Sequence, residues 1–226
     1  MPHVHGHVPH ELGESESPRA GTSRRERILE LGAVLLLSVT TVATAWSGYQ
    51  AARWSGDQSE QFAKASATRI KAQSETTRAG QLRIDDTLLF DEWLDAYRSG
   101  KRKLAAEYRR RFRPEFVPAF HAWLAQRPFT NPRAVPGPLY TTAYRPAALK
   151  RAAALNAVAD DQYEEGTQAK THDDKYILST VFFAAVLFFA GISLRLDWQP
   201  LRIAVLSLGG AMLLGGVVYV LTLPIA

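Results

Sequence analysis

The chain has 226 residues, enough for one or two domains, with 27 Lys+Arg against 22 Asp+Glu and a formal charge of +5. It has no cysteine, which excludes disulfides, thiolate nucleophiles and Cys-based zinc or iron–sulfur sites. The excess of 21 Lys+Arg over 16 Asp+Glu lies between Gln50 and Lys175 and is mixed in sign, so no nucleic-acid partner is indicated.

Residues 1–27 read as a disordered tail. Its histidines, His3, His5, His7 and His10, are candidate metal ligands because imidazole binds copper, nickel and zinc. Pro2 has no amide proton to give up, which removes the amino-terminal copper motif and leaves a flexible, low-specificity site. The expectation is a His-rich tail with no dedicated metal, and no cofactor anywhere in the chain. Arg24, Arg25 and Arg27 then precede an apolar run in which Ala43-Thr44-Ala45 resembles a cleavage site. Apolar and small residues continue helically through Trp46, Tyr49, Ala52 and Trp54, so an uncleaved anchor is expected.

Three apolar stretches, 28–49, 176–196 and 201–223, are each long enough to cross a hydrocarbon core of about 30 Å as a helix. No ionisable residue lies within Leu31–Ala45, Ile177–Leu194 or Ile203–Leu223, which counts against an ion-coupled transporter. The first span carries a polar stripe of Thr40, Thr44 and Ser47. The third carries Ser207, Ala211 and Gly215 at four-residue spacing beside Gly209, Gly210 and Gly216. Small residues allow close backbone approach, so these are packing positions within the three-helix unit, a self-association seam or a pore lining. The arginines before the first span, and Arg195 and Arg202 around the short turn between the second and third, place tail and turn in the cytoplasm. Residues 50–175 are then extracytoplasmic, and the expected location is a bacterial inner membrane.

Within the 50–175 insert, Ala63, Ala67, Ile70, Ser74, Thr77, Gln81, Ile84 and Leu88 recur at alternating four- and three-residue steps. Ala148, Ala152, Leu155, Ala159, Gln162, Gly166 and Ala169 do the same. Both are heptad seams of mainly small residues, and they predict two helices paired as an antiparallel stalk. Leu88, Leu89, Trp93, Leu94 and Tyr97 form an apolar face ending at Ser99-Gly100. A helix over Lys101–Phe112 follows with Leu104, Tyr108 and Phe112 on one stripe, then a third from Pro114 to Gln126 with Phe116, Phe120, Trp123 and Leu124. The stretch from Pro128 to Pro146, broken by proline and glycine, reads as a loop. The predicted fold is an all-α membrane protein: three transmembrane helices, with a helical stalk and small helical cap inserted between the first and second. Trp93, Phe116, Phe120 and Trp123 are expected to form one cluster closing the cap.

Arg109, Arg110, Arg111 and Arg113 make a basic cluster, a candidate site for an anionic envelope component or a protein's acidic patch, or partners for carboxylates such as Glu107 and Glu115. Asp160, Asp161, Glu164 and Glu165 read as a solvated acidic face, because the inward Glu-x-x-His pairs of di-metal bundles do not occur. There is no phosphate-binding glycine loop, serine elbow or H-E-x-x-H motif, and no visible set of nucleophile, base and orienting group.

Several strings resemble a widespread set of uncharacterised bacterial integral membrane proteins: AWSGYQAARW from Ala45 to Trp54, RRFRPEF from Arg110 to Phe116 with Phe120 and Trp123, and the segment from Asp173 to Ser193. The resemblance implies the same membrane architecture and carries no activity or catalytic residue. The expected function is a non-enzymatic scaffold or interaction subunit, partnered by the lipid bilayer, by further copies of itself and by a ligand at the cap. The alternative is a channel or transporter component forming an oligomeric pore.

Overall fold

A computed structural model describes residues 24–226, and the tail with His3, His5, His7 and His10 lies outside the described residues. The described residues form α1 (Arg24–Arg98), α2 (Arg102–Arg110), α3 (Val117–Ala125), α4 (Ala147–Ser193) and α5 (Gln199–Leu221), with a short 3-10 turn at Pro138–Tyr140. Among them α1, α4 and α5 are long and apolar enough to cross a membrane. The chain divides into two compact units: the residues up to Ala45 with Thr180–Leu221, and Trp46–Ser179 with Thr222–Ala226.

In the first unit the apolar ends of α1 and α4 pack with α5 around Leu36, Val186 and Ala190, with Leu37, Leu206, Met212 and Leu213 against them. Close approach is made at two buried glycines one heptad apart. A Cβ at Gly209 would lie 3.1 Å from Leu36 Cδ2, and one at Gly216 would lie 2.7 Å from Phe183 Cε1. The packing residues are therefore not Ser207, Ala211 and Gly215, which are exposed on another face of α5. Tight packing selects positions where a methyl group cannot fit, and the sequence spacing alone cannot separate these from small residues that face outward. Thr40 is fully buried and donates to the Leu36 carbonyl at 2.6 Å; Thr44 donates to the Thr40 carbonyl at 2.7 Å. Both hydroxyls are thus satisfied by their own helix.

In the second unit α1 and α4 run antiparallel. Thr68 donates to Gln162, Arg69 to Asp160 and Arg151 to Glu75, so ascending positions on one helix meet descending positions on the other. On the α4 side five of the seven expected seam positions, Ala148, Ala152, Ala159, Gly166 and Ala169, are buried, and Leu155 and Gln162 are half-buried. The α1 side differs from expectation. Ala63, Ala67, Ile70, Ser74, Thr77, Gln81, Ile84 and Leu88 are all exposed, and the buried face is Ala51, Ala65, Ala72, Ala79, Asp86 and Trp93. These fall on a seven-residue repeat, so α1 carries two heptad stripes on opposite faces and α4 occupies the one lined by alanine. Alanine suits a buried helix–helix face because its single methyl lets helices pack closely.

Helix α1 stops where glycine permits it. Gly100 has φ +72°, Gly100 N–H donates to the Tyr97 carbonyl and Lys101 N–H to the Ala96 carbonyl at 2.9 Å, a Schellman ending. Beyond it, Phe90, Trp93, Ala96, Ala105, Phe112, Phe116, Phe120 and Trp123 form one buried cluster from α1, α2, α3 and their connections. The expected grouping of Trp93, Phe116, Phe120 and Trp123 lies inside it. Two details differ. Leu104 points outward and Ala105 packs in its place, because α2 approaches α1 closely. Helix α3 begins at Val117 with Pro118 in its first turn, while Pro114 sits in the preceding turn.

Candidate functional site

The aromatic cluster fixes a surface around α2 and α3. Trp93 meets Phe120 edge-on at 4.7 Å and Phe90 meets Trp123 edge-on at 5.0 Å, the arrangement favoured by ring quadrupoles. Trp123 Nε1 donates to the Val135 carbonyl at 2.9 Å and Gln126 Oε1 accepts from Val135 N–H at 3.0 Å, which orders the proline-rich connection over the cluster.

Under this surface lies a polar clip that sequence reasoning missed. Asp86, 3% exposed, accepts from two of the three Arg113 guanidinium nitrogens, Nε at 3.0 Å and Nη2 at 2.5 Å, and from the Tyr144 hydroxyl at 3.0 Å. The bidentate guanidinium satisfies a carboxylate that burial would otherwise penalise heavily. Burial, reinforced by the Asp86 hydrogen bond and charge, pushes the Tyr144 phenol up to about 12. The hydrogen bond to Asp86 likewise raises Arg113. Only one signal in the sequence pointed here: Asp86 continues the seven-residue alanine series.

The four candidate arginines therefore separate. Arg113 turns inward, bonded to Asp86 and, at 3.3 Å, to Glu115. Arg109, Arg110 and Arg111 are exposed, and no ion pair among the described residues engages them. Arg109 donates to His121 Nε2 at 3.2 Å and lies over the Phe120 ring, while Arg111 lies over Tyr108. Aromatic faces hold two of the three guanidinium groups without neutralising them.

A groove of about 470 Å³ between α1 and α4 is lined by Trp54, Asp57, Glu60, Glu165, Gln168 and His172. The His172 ring lies 4.6 Å from Trp54, and Lys64 holds Glu60 below the usual carboxylate range through a hydrogen bond. No group of three His, Asp or Glu side chains among the described residues converges closely enough to hold a metal. Asp160, Asp161, Glu164 and Glu165 are exposed on α4.

Compared with protein-family models, curated proteins and solved structures, the chain matches none. Its site must be read from its own geometry. At the end of that unit, Pro224 carbonyl accepts from Tyr176 Oη at 3.1 Å and from Trp54 Nε1 at 3.3 Å, and Ala226 N–H donates to Gln50 at 3.0 Å. These groups bind chain to chain, whereas Arg109, Arg110 and Arg111 at the end of α2 are exposed and outside every ion pair among the described residues.

Proposed function

We propose that the protein is a non-enzymatic scaffold or interaction subunit of a bacterial inner membrane. Three spans anchor it, and a helical stalk and cap between the first and second present a basic surface to an anionic partner. The observation that carries this reading is the trio Arg109, Arg110 and Arg111, exposed and without carboxylate partners on a surface made rigid by the aromatic cluster. Guanidinium groups held over aromatic faces are already oriented for carboxylate or phosphate groups, which lowers the entropic cost of recognition. The polar groups buried nearby, Asp86, Arg113 and Tyr144, bond one another. The oligomeric-pore alternative relied on the Thr40, Thr44 and Ser47 stripe; Thr40 and Thr44 bond their own helix, Ser47 is buried without a partner, and none of the three is exposed.

Two experiments test the reading. With no native cysteine, each engineered thiol is the only one. Thr130→Cys should react with a membrane-impermeant maleimide in intact spheroplasts, while Ser23→Cys should not. The reverse pattern would place the basic surface in the cytoplasm. A photo-crosslinker at Arg110 in native membranes should give an adduct that raised salt and Arg109→Glu/Arg111→Glu both diminish. An adduct indifferent to both would remove the electrostatic basis of the proposal.

A further inference from the structure

The side of α1 away from α4 carries large apolar residues of its own. Ile70, Ile84 and Leu88 are 69%, 60% and 61% exposed, whereas Ala65, Ala72 and Ala79 on the inner face are at most 4% exposed. A helix pair patterned for its own burial places isoleucine and leucine inward and alanine outward. Between Ala65 and Ala79 that order is reversed: Ile70 faces outward and the inner positions are alanine. The three exposed residues lie on a single regular seam, with Ile70, Thr77 and Ile84 at heptad d positions and Ser74, Gln81 and Leu88 at a positions. Ala65, Ala72 and Ala79 then fall at f, on the opposite side of the helix.

We propose that this outer seam of α1 pairs with the same seam of a second copy, as a parallel, in-register two-stranded coiled coil between Ala63 and Leu88. The flanking charges permit such a pair, and the polar seam residues select its occupant and direction. The e positions are Lys64, Lys71, Arg78 and Asp85; the g positions, Ser66, Gln73, Gly80 and Thr87, are all uncharged. In a parallel pair e faces the partner's g, so no like charges meet. An antiparallel pair centred on the seam faces e with e, setting Lys71 against Arg78 but also Lys64 against Asp85, so its flanking charges offset one another. The polar a residues decide the direction, since an antiparallel pair would set Gln81 against Ile70. In register, Gln81 meets an identical amide, which both donates and accepts, and Ser74 meets an identical hydroxyl. An apolar helix from another protein would leave that amide unsatisfied at a cost. The inference rests on the proposed membrane function in one respect: copies inserted alike in one bilayer run α1 in the same direction.

The full-length protein in native membranes provides the test. Ala67→Cys, Ser74→Cys and Gln81→Cys, made singly, place each thiol opposite its own counterpart at a spacing a disulfide can bridge. Mild oxidation should give covalent dimer at least tenfold above Asn156→Cys, an exposed control on α4. Excess at two or more positions supports the parallel register. Excess at no more than one, as an antiparallel crossing gives, overturns it. Adding Ile70→Asp with Ile84→Asp to Ser74→Cys should abolish the dimer at unchanged helix content, and a persisting dimer would also overturn the seam. Absence of the dimer with Thr130→Cys still labelled from outside would reject the coil and leave the membrane reading standing.

Discussion

Replacing Arg113 by Met is the sharpest perturbation of the second unit. It deletes the bidentate partner of a carboxylate that is 3% exposed and leaves Tyr144 as the remaining donor. Breaking a buried pair by removing one partner costs about 3–5 kcal/mol, because the other charge stays buried. The Arg113 side chain is 25% exposed, so water reaches the vacated position and the lower end, about 3 kcal/mol, is expected. The penalty belongs to the stranded charge, and removing that charge should recover most of it. Asp86→Ala extends the alanine series of Ala65, Ala72 and Ala79, and Tyr144→Phe removes the last orphaned hydroxyl. The triple variant should lie within about 1–2 kcal/mol of the parent, since replacing a buried ionic group by apolar residues is often near neutral. Urea unfolding of the full-length protein in detergent, followed by tryptophan fluorescence and with the variants compared at matched slope, measures each difference. A single variant costing under about 1 kcal/mol, or a triple costing as much as the single, would refute the stranded-charge account.

Alkaline stability should report Tyr144. A phenol raised from 10.0 to about 12 contributes stability that is fully present below pH 10 and is lost as pH rises through 12, so Tyr144→Phe should flatten that decline relative to the parent in alkaline unfolding. Trp123→Ala should cost about 3–5 kcal/mol and expose the proline-rich connection to protease, as expected for a large buried aromatic that also donates to Val135; unchanged protease resistance would show that the connection is held elsewhere. Ala159→Leu, at a fully buried seam position, should overpack the α1–α4 pair and cost roughly 1–3 kcal/mol in thermal unfolding, while Asn156→Leu on the exposed face should not.

Apolar length and absence of charge made the three candidate spans legible, and the Ser99-Gly100 stop followed from the one residue type that adopts positive φ freely. The α4 seam was equally legible because only one face of that helix has small residues in register. On α1 two heptad stripes compete, and Ile70, Ile84 and Leu88 favour the wrong one if apolar size is the criterion. Pairing across α1 and α4 was decided instead by how closely backbones approach, which favours Ala65, Ala72 and Ala79. Asp86 was illegible for a different reason. Its partners lie 27 and 58 residues away, and an aspartate on a charged helix reads as solvated until the chain is folded. The arginine cluster was visible as a string, but which of its members turns inward is fixed only by the geometry around Phe112 and Phe116.

Alanine seams have a mechanical weakness: one methyl resembles the next, so smooth helices can slip lengthwise at little cost. Gly166 removes that freedom. A Cβ there would lie 2.6 Å from the Phe62 ring, which stacks on Tyr163 at 5.1 Å, so the ring sits in a notch one residue wide. Moving α1 along α4 would drive Phe62 onto a position that carries a side chain. The ring works as an index pin, and the cross-links of Arg69 and Arg151 are set by it as much as they reinforce it. Two copies joined along their outer faces would inherit this fixed axial setting, and their basic surfaces would be held at one common height.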